Sequence, residues 1–137
     1  MKKSLVITAL LLFAGVAFGQ TIEKGNLIGL HVVSVELKPG ATMDQFIDFV
    51  NEKTKPEWEK LHEGGKMFAI KGIRGESANE FGIIFQFKDE ASRNKSYNTD
   101  GTLNEWGTKL QEKMAPVNAE MEKIGSVSSK YTDWLVL

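Results

Sequence analysis

The sequence predicts a domain of the α+β class, in which strands and helical regions follow one another in the order βαββαβ. Apolar residues alternate with other residues in the segments 27–37 and 81–88, which is the period of a strand. They recur every three or four residues in the segments 43–50 and 103–124, which is the period of one helix face. This order is that of the split βαβ, ferredoxin-like arrangement, an antiparallel four-stranded sheet with both helical regions on one face.

The first half of the domain is predicted to contain two strands and a divided helical region. The strands cover residues 27–37 and 67–74. Between them, Thr42 and Gln45 have the spacing of a capping box, in which each side chain bonds to the backbone of the other residue at a helix start. Pro56 is expected to break or kink the helix that follows, because proline lacks a backbone N–H and crowds the preceding turn.

The second half is predicted to contain a short helix and a long one. Asp89 is the expected cap of the short helix. Thr102 and Glu105 have the spacing of a second capping box, at the start of the long helix, and Gly125 is the expected C-cap. The remaining predicted elements are a turn and two strands, at residues 76–79, 81–88 and 126–137.

The N-terminal segment has the composition of a secretory signal peptide. After a basic start, residues 5–18 are uncharged and mostly apolar, and the small residues Ala17 and Gly19 precede the expected cleavage site. The apolar run is shorter than the ~20 residues that span a bilayer, so no stable membrane anchor is expected. We therefore expect residues 1–19 to be a signal peptide and residues 20–137 to form a single domain, exported to the periplasm or the surroundings of a bacterium.

The charge and cysteine content exclude several classes of function. Without the predicted signal peptide, 15 basic side chains face 18 acidic ones, which gives a net charge of −3. A weakly acidic chain of mixed charge has no electrostatic surface for nucleic acid, so no nucleic-acid partner is expected. The sequence contains no cysteine, which excludes disulfides, thiolate catalysis, cysteine-ligated metals and c-type haem attachment.

The segment 85–91, with the sequence FQFKDEA, runs from the third predicted strand through an acidic cap into a short helix. In this segment, and in the order and size of its elements, the chain resembles the dimeric α/β-barrel superfamily. That superfamily includes antibiotic-biosynthesis-type monooxygenases, haem-degrading monooxygenases, EthD-like proteins and NIPSNAP-like proteins. The resemblance covers almost all of residues 20–137. It implies a ferredoxin-like α/β-barrel domain, a homodimer whose two sheets face each other, and a pocket between each sheet and its helices.

The resemblance also implies a range of functions. The first is a small-molecule-binding protein that acts as a cofactor-independent monooxygenase or isomerase on a small aromatic or polyketide-like compound. The alternatives are a non-catalytic binding or structural protein and a haem-binding protein. A homodimer follows from the residues as well, because strands with apolar residues on both faces need a second cover that helices on one face cannot provide.

His31 is the candidate catalytic residue, since it lies within an apolar strand and its imidazole titrates near neutral pH. A buried histidine that is hydrogen-bonded to a neighbour in the core is the more common explanation of this pattern, because a pocket needs several convergent polar groups. If the chain is an enzyme of the kind that the resemblance implies, His31 is its base. The aromatic residues expected to shape the ligand pocket are Trp58, Trp106, Tyr131 and Phe85. Aromatic residues at helical spacing also serve as ordinary core residues.

The sequence contains a candidate metal site and a candidate haem site, and neither is expected to bind its cofactor. Glu59, His62 and Glu63 share a helix face and could hold a divalent metal ion, but the end of a solvated helix explains the same pattern. The haem-degrading members of the superfamily use an asparagine, a tryptophan and a histidine. Asn26 could stand for the first, but Phe87 occupies the place of the tryptophan. Because the predicted long helix contains no histidine, the sequence argues against haem degradation.

Overall fold

The computed structural model describes residues 21–75 and 81–137, so the predicted signal peptide and the predicted turn at 76–79 lie outside the described residues. The strands are β1 (Leu27–Leu37), β2 (Lys66–Lys71), β3 (Phe81–Phe87) and β4 (Gly125–Leu135). The helices are α1 (Met43–Phe49), a π-helical segment (Val50–Thr54), α2 (Lys55–Leu61), α3 (Glu90–Asn94) and α4 (Glu105–Met121). Within the described part of the chain, every helix is too short or too polar to span a bilayer.

The four strands form one antiparallel sheet with the order β2-β3-β1-β4. Strand β1 pairs with β3 from Leu27 opposite Phe87 to Val33 opposite Phe81. It pairs with β4 along all 11 of its residues. Strand β2 is shorter than the predicted strand at 67–74 and ends at residue 71. The order and the strand directions confirm the predicted ferredoxin-like fold class.

The first helical region is continuous where the sequence predicted a break or kink. Its predicted capping box is present, because Thr42 Oγ1 accepts from the Gln45 N–H and Gln45 Oε1 accepts from the Thr42 N–H. At Pro56 the chain does not leave the helix. It passes first through the π-helical segment, where the Lys55 N–H bonds to the Val50 carbonyl five residues back. We attribute the wider turn to the proline ring, which would crowd the carbonyl of an ordinary preceding turn.

The capping box predicted for Thr102 and Glu105 is wrong. Asn104 caps α4 instead, and its Oδ1 accepts a hydrogen bond from the Gly107 N–H at 2.9 Å. The Thr102 hydroxyl donates to Asp100 Oδ1 at 2.6 Å and is therefore engaged within the loop. An isolated β-bridge just before Asn104 keeps the chain extended there, so the helix begins later than the spacing predicted.

The predicted C-cap of the long helix is also wrong. Helix α4 ends at Met121, and Gly125 is the first residue of β4. A Cβ atom at Gly125 would lie 3.0 Å from Val35 Cγ1 and 3.1 Å from the Glu36 carbonyl oxygen. Close packing of β4 against β1, and not a left-handed helix end, therefore explains this glycine.

The helices cover one face of the sheet, here called the inner face, and the core lies between them. The largest fully buried side chains are Phe46, Val50 and Met67, which come from α1, the π-helical segment and β2. The opposite, outer face also carries apolar side chains, of which Val32 and Ile70 are each 41% exposed. The apolar residues of the outer face are Ile28, Leu30, Val32, Phe68, Ile70, Ile84 and Trp134.

Phe46→Ala is expected to lower the free energy of unfolding by about 3–5 kcal/mol, because Phe46 is 1% exposed and its removal leaves a cavity against Phe81. Ile73→Ala is the control, since Ile73 is 79% exposed, and its effect should stay within about 0.5 kcal/mol. Urea denaturation measures both variants. A loss below about 1 kcal/mol for Phe46→Ala would contradict the described core.

Candidate functional site

A cavity of about 330 Å³, here called the main cavity, lies between the inner face of the sheet and the helices. Most of its walls are apolar or aromatic, with a few polar groups between them. The lining residues from the strands are His31, Val33, Met67, Ile83, Phe85, Val127 and Ser129. Those from the helices and connecting segments are Phe46, Val50, Thr54, Trp58, His62, Tyr97, Leu103, Gly107, Leu110, Gln111, Met114, Asn118 and Met121.

His31 lies in the middle of β1 and lines the main cavity. Direct partners in an antiparallel sheet share a face, so the register places Ile83 on one side of His31 and Tyr131 on the other. The imidazole contacts the Phe85 ring edge to face, with the ring centres 4.9 Å apart, and stacks on Tyr131 at 5.5 Å. Its Nδ1 atom lies 3.5 Å from Ser129 Oγ.

The surroundings of His31 favour its neutral form. Burial lowers the pKa of His31 below the ordinary value of 6.5, and the negative charge of Asp133 opposes part of this shift. At neutral pH the imidazole is therefore uncharged, and one ring nitrogen carries a free lone pair. Such a group can accept a proton, and the nearby carboxylate would then stabilise the imidazolium.

Trp58 forms the wall of the main cavity on the side of α2. It is buried, and its ring stacks on His62 with the ring centres 4.2 Å apart and an interplanar angle of 13°. It also contacts Phe85 and Phe87, at 4.7 and 5.7 Å between ring centres. Gly65 permits this packing, because a Cβ atom there would lie 2.9 Å from Cζ3 of Trp58.

His62 follows the last residue of α2, and its Nδ1 atom lies 3.0 Å from the Trp58 carbonyl oxygen. Burial lowers the pKa of His62 below 6.5, and the hydrogen bond to the carbonyl opposes part of the shift. Glu59 is engaged elsewhere, since its Oε1 accepts from the Met67 N–H at 2.9 Å and its Oε2 lies 4.0 Å from Lys66 Nζ. Within residues 21–75 and 81–137, no group of three or more histidine, cysteine or acidic residues is arranged to hold a metal ion.

An ion pair beside His31 was not identified from the sequence. Arg93, on α3, is 5% exposed, and its Nη2 atom lies 2.8 Å from Asp133 Oδ2 on β4. The guanidinium also donates to the Asn98 carbonyl oxygen and lies 5.1 Å from the centre of the Tyr97 ring. These contacts satisfy a buried cation that would otherwise be costly, and they hold the carboxylate near the imidazole.

The ion pair and His31 border a smaller cavity of about 50 Å³. One spacing in the sequence indicates which residues of β4 face this smaller cavity. Asp133 follows Tyr131 by two residues on one face of β4, and it lies opposite Gly29 of β1. A Cβ atom at Gly29 would lie 3.3 Å from Asp133 Oδ1, so the glycine leaves room for the carboxylate. The other lining residues are Phe85, Phe87, Tyr97 and Gly101.

The structure brings some of the predicted pocket residues together and separates others. Trp58 and Phe85 line the main cavity with His31. Tyr131 lines the smaller cavity instead. Trp106 lines neither, so its predicted place in the pocket is corrected: it lies in the first turn of α4 and is 52% exposed. It borders a surface groove, whose lining residues are Leu61, His62, Glu63, Phe87, Ser92, Lys95, Ser96, Trp106 and Leu110.

Asn26, which the resemblance offered as a haem-site residue, is engaged in structural hydrogen bonds. Its Nδ2 donates to the Lys88 carbonyl oxygen at 2.9 Å. Its Oδ1 accepts from the Gln86 side chain and from the Glu23 N–H, both at 2.8 Å. Asn26 does not line the main cavity, and it ties the N-terminal end of β1 to its neighbours.

Comparison with known proteins supports the fold and leaves the activity open. No protein-family model matches the sequence, and no curated protein matches it. A solved structure of a NIPSNAP-family protein of unknown function from Agrobacterium tumefaciens is similar, with a TM-score of 0.51 and 11% identity over 85% of this chain and 94% of that chain.

Two further solved structures are more distant. The cofactor-independent oxygenase SnoaB from Streptomyces nogalater has a TM-score of 0.47 and 9% identity, over 79% of this chain and 91% of that one. A dimeric protein of unknown function with a ferredoxin-like fold, from Bacteroides fragilis, has a TM-score of 0.42 and 10% identity, over 82% and 97%. The sheet order and the likeness to the NIPSNAP-family structure together show that the chain has a ferredoxin-like fold.

Proposed function

We propose that the chain binds a compact aromatic molecule in the main cavity and acts on it as a cofactor-independent monooxygenase or isomerase. The observation that carries this proposal is one cavity with aromatic walls into which an uncharged imidazole, His31, is built. The volume of about 330 Å³ falls at the lower end of the range for small-molecule sites, which is about 300–1,000 Å³. A ligand of two or three fused rings, such as an aromatic or polyketide-like compound, has a suitable size.

The chemistry assigned to His31 is removal of a proton from a carbon next to a carbonyl group. The C–H bond breaks, the imidazole takes the proton, and the electron pair stays on the substrate as an enolate. For isomerisation, the imidazolium returns the proton to a different carbon. For oxygenation, the enolate reacts with dioxygen, protonation gives a hydroperoxide, and loss of water leaves a new carbonyl group. Asp133 favours the imidazolium in either case, because it contributes the opposing negative charge.

We further propose that two copies of the chain associate through the outer face of the sheet. The helices leave that face uncovered, and its apolar side chains include Trp134, which is 61% exposed. A second copy would cover the same surface on both partners, which is the usual geometry of a symmetric dimer. This supports the arrangement that the resemblance implied, in which two sheets face each other.

Filling the main cavity should abolish ligand binding. Ile83→Phe adds a ring at a residue that lines the cavity, so its affinity for 2-naphthol should fall at least about tenfold. Ile73→Phe is the control, because Ile73 is 79% exposed and does not line the cavity. Isothermal titration calorimetry compares both with the unchanged protein. Equal affinities in the two variants would mean that the ligand does not bind in this cavity.

His31→Gln should remove base catalysis while the protein stays folded. The test follows deuterium incorporation next to the carbonyl of 2-tetralone by NMR, and the variant should lose at least about a hundredfold in rate. Because burial lowers the pKa of His31, the active neutral form should persist below pH 6.5, with the rate lost only as pH falls through the lowered pKa. If the unchanged protein binds 2-tetralone without accelerating exchange, it is a binding protein and the catalytic part of the proposal is wrong.

Val32→Lys should convert the proposed dimer to monomer, because it places a charge on the centre of the outer face. Ala119→Lys is the control, since it adds the same charge to an exposed position of α4. Light scattering after size-exclusion chromatography gives the mass of each. A monomeric unchanged protein at micromolar concentration would refute the dimer.

A further inference from the structure

We infer that His62 contacts the ligand directly, with its Nε2 atom accepting a hydrogen bond from a hydroxyl group at the junction of the main cavity and the surface groove. The inference rests on the proposed binding function and narrows its ligand class to aromatic compounds that carry a phenolic or enolic hydroxyl. The sequence pattern suggests His62 only as a metal ligand, and among the described residues no group of three or more such side chains is arranged to hold a metal ion.

The hydrogen bond made by the other ring nitrogen fixes the tautomer. A carbonyl oxygen can only accept, so the contact of 3.0 Å between His62 Nδ1 and the Trp58 carbonyl requires that Nδ1 carries the proton. In the neutral ring, Nε2 then has no proton and presents a lone pair. His31 is not fixed in this way, because its Nδ1 faces the Ser129 hydroxyl, which can donate or accept.

The Nε2 atom of His62 is open to a ligand. Among the described residues, no hydrogen bond joins Nε2 to another group, and the buried polar side-chain atoms that lack a partner are Thr54 Oγ1 and Gln86 Oε1. Since His62 Nε2 is not one of these atoms, it is not fully buried. His62 and Leu110 line both the main cavity and the surface groove, which places the imidazole where the two meet.

The ring is held in place before any ligand arrives. One face of His62 stacks on Trp58 at 4.2 Å, and the Phe87 ring lies edge to face at 6.4 Å. The Gly65 N–H donates to the His62 carbonyl oxygen at 2.8 Å, which fixes the backbone. A fixed acceptor in an apolar surrounding selects strongly for a donor, because a ligand without one leaves the lone pair unsatisfied.

The charged groups around His62 do not favour its protonated form. Glu63 and Lys95 border it from the groove, one of each sign, and Glu59 is engaged by the Met67 N–H. In the main cavity the titratable groups are His31 and Tyr97. Burial dominates and lowers the pKa of His62, so Nε2 is an acceptor at neutral pH.

The test compares 2-naphthol with 2-methoxynaphthalene, in which a methyl group replaces the hydroxyl hydrogen so that the oxygen can no longer donate a hydrogen bond. Calorimetry should show that the unchanged protein prefers 2-naphthol by about 3- to 10-fold, the worth of one hydrogen bond. His62→Asn should lose this preference, because asparagine can still donate in the position of Nδ1 but has no group at Nε2. Lys60→Gln is the control and should keep the preference, since Lys60 lies on α2, its side chain is 73% exposed, and it lines neither the main cavity nor the surface groove.

Nitrogen-15 NMR of the unchanged protein gives a readout that does not depend on a variant folding. The His62 Nε2 resonance should have the shift of an unprotonated nitrogen and should move on addition of 2-naphthol but not of 2-methoxynaphthalene. Equal affinity for both probes, a protonated Nε2 in the free protein, or an intact preference in His62→Asn would each overturn the inference and leave the cavity as a binding site. Binding of neither probe would overturn the proposed function itself.

Discussion

The pairing of β1 with both β3 and β4 is the constraint on which the rest of the site depends. Because paired residues share a face, this register places His31 between Ile83 and Tyr131 and brings Asp133 next to Gly29. These residues are far apart in the sequence, and only the interior position of β1 joins them. A slip of β1 by one residue would turn His31 to the outer face, away from Ile83 and Tyr131, so the register determines whether a site exists at all.

The helical layer completes the site through a local irregularity. The π-helical segment precedes α2, and α2 carries Trp58 to the inner face, where its ring meets Phe85. The Trp58 ring stacks on His62 and holds that imidazole at the wall of the main cavity. A regular α-helix over residues 50–54 would rotate α2 about the helix axis relative to α1 and would turn the face that carries Trp58. The proline that the sequence marks as a breaker is thus compatible with a continuous helix, because the turn before it widens.

Much of the fold could be predicted from periodicity, and parts of the site could not. Strand β1 was predicted with its observed bounds, and the Thr42 cap was found from its spacing, because both depend on near neighbours. The start of α4 was missed because the β-bridge between Tyr97 and Leu103 keeps the chain extended beyond Thr102. Arg93 and Asp133 were missed because the two residues of this ion pair are 40 positions apart, and the spacing of Tyr131 and Asp133 indicates a shared strand face without indicating the partner on α3. Trp106 was misplaced because helical spacing does not say how far a helix extends past the sheet.

The lining of the main cavity, rather than its size, distinguishes it from the surface groove. The groove has the larger volume, about 430 Å³ against about 330 Å³, but it is bordered by the charged residues Glu63 and Lys95. The main cavity is bordered mainly by aromatic and aliphatic side chains and by the two imidazoles. Replacing lining residues such as Val33, Ile83 and Val127 with larger side chains would close much of the space without changing the register. The proposed ligand site thus depends on aliphatic side chains of moderate size at these three positions and on the two imidazoles beside them.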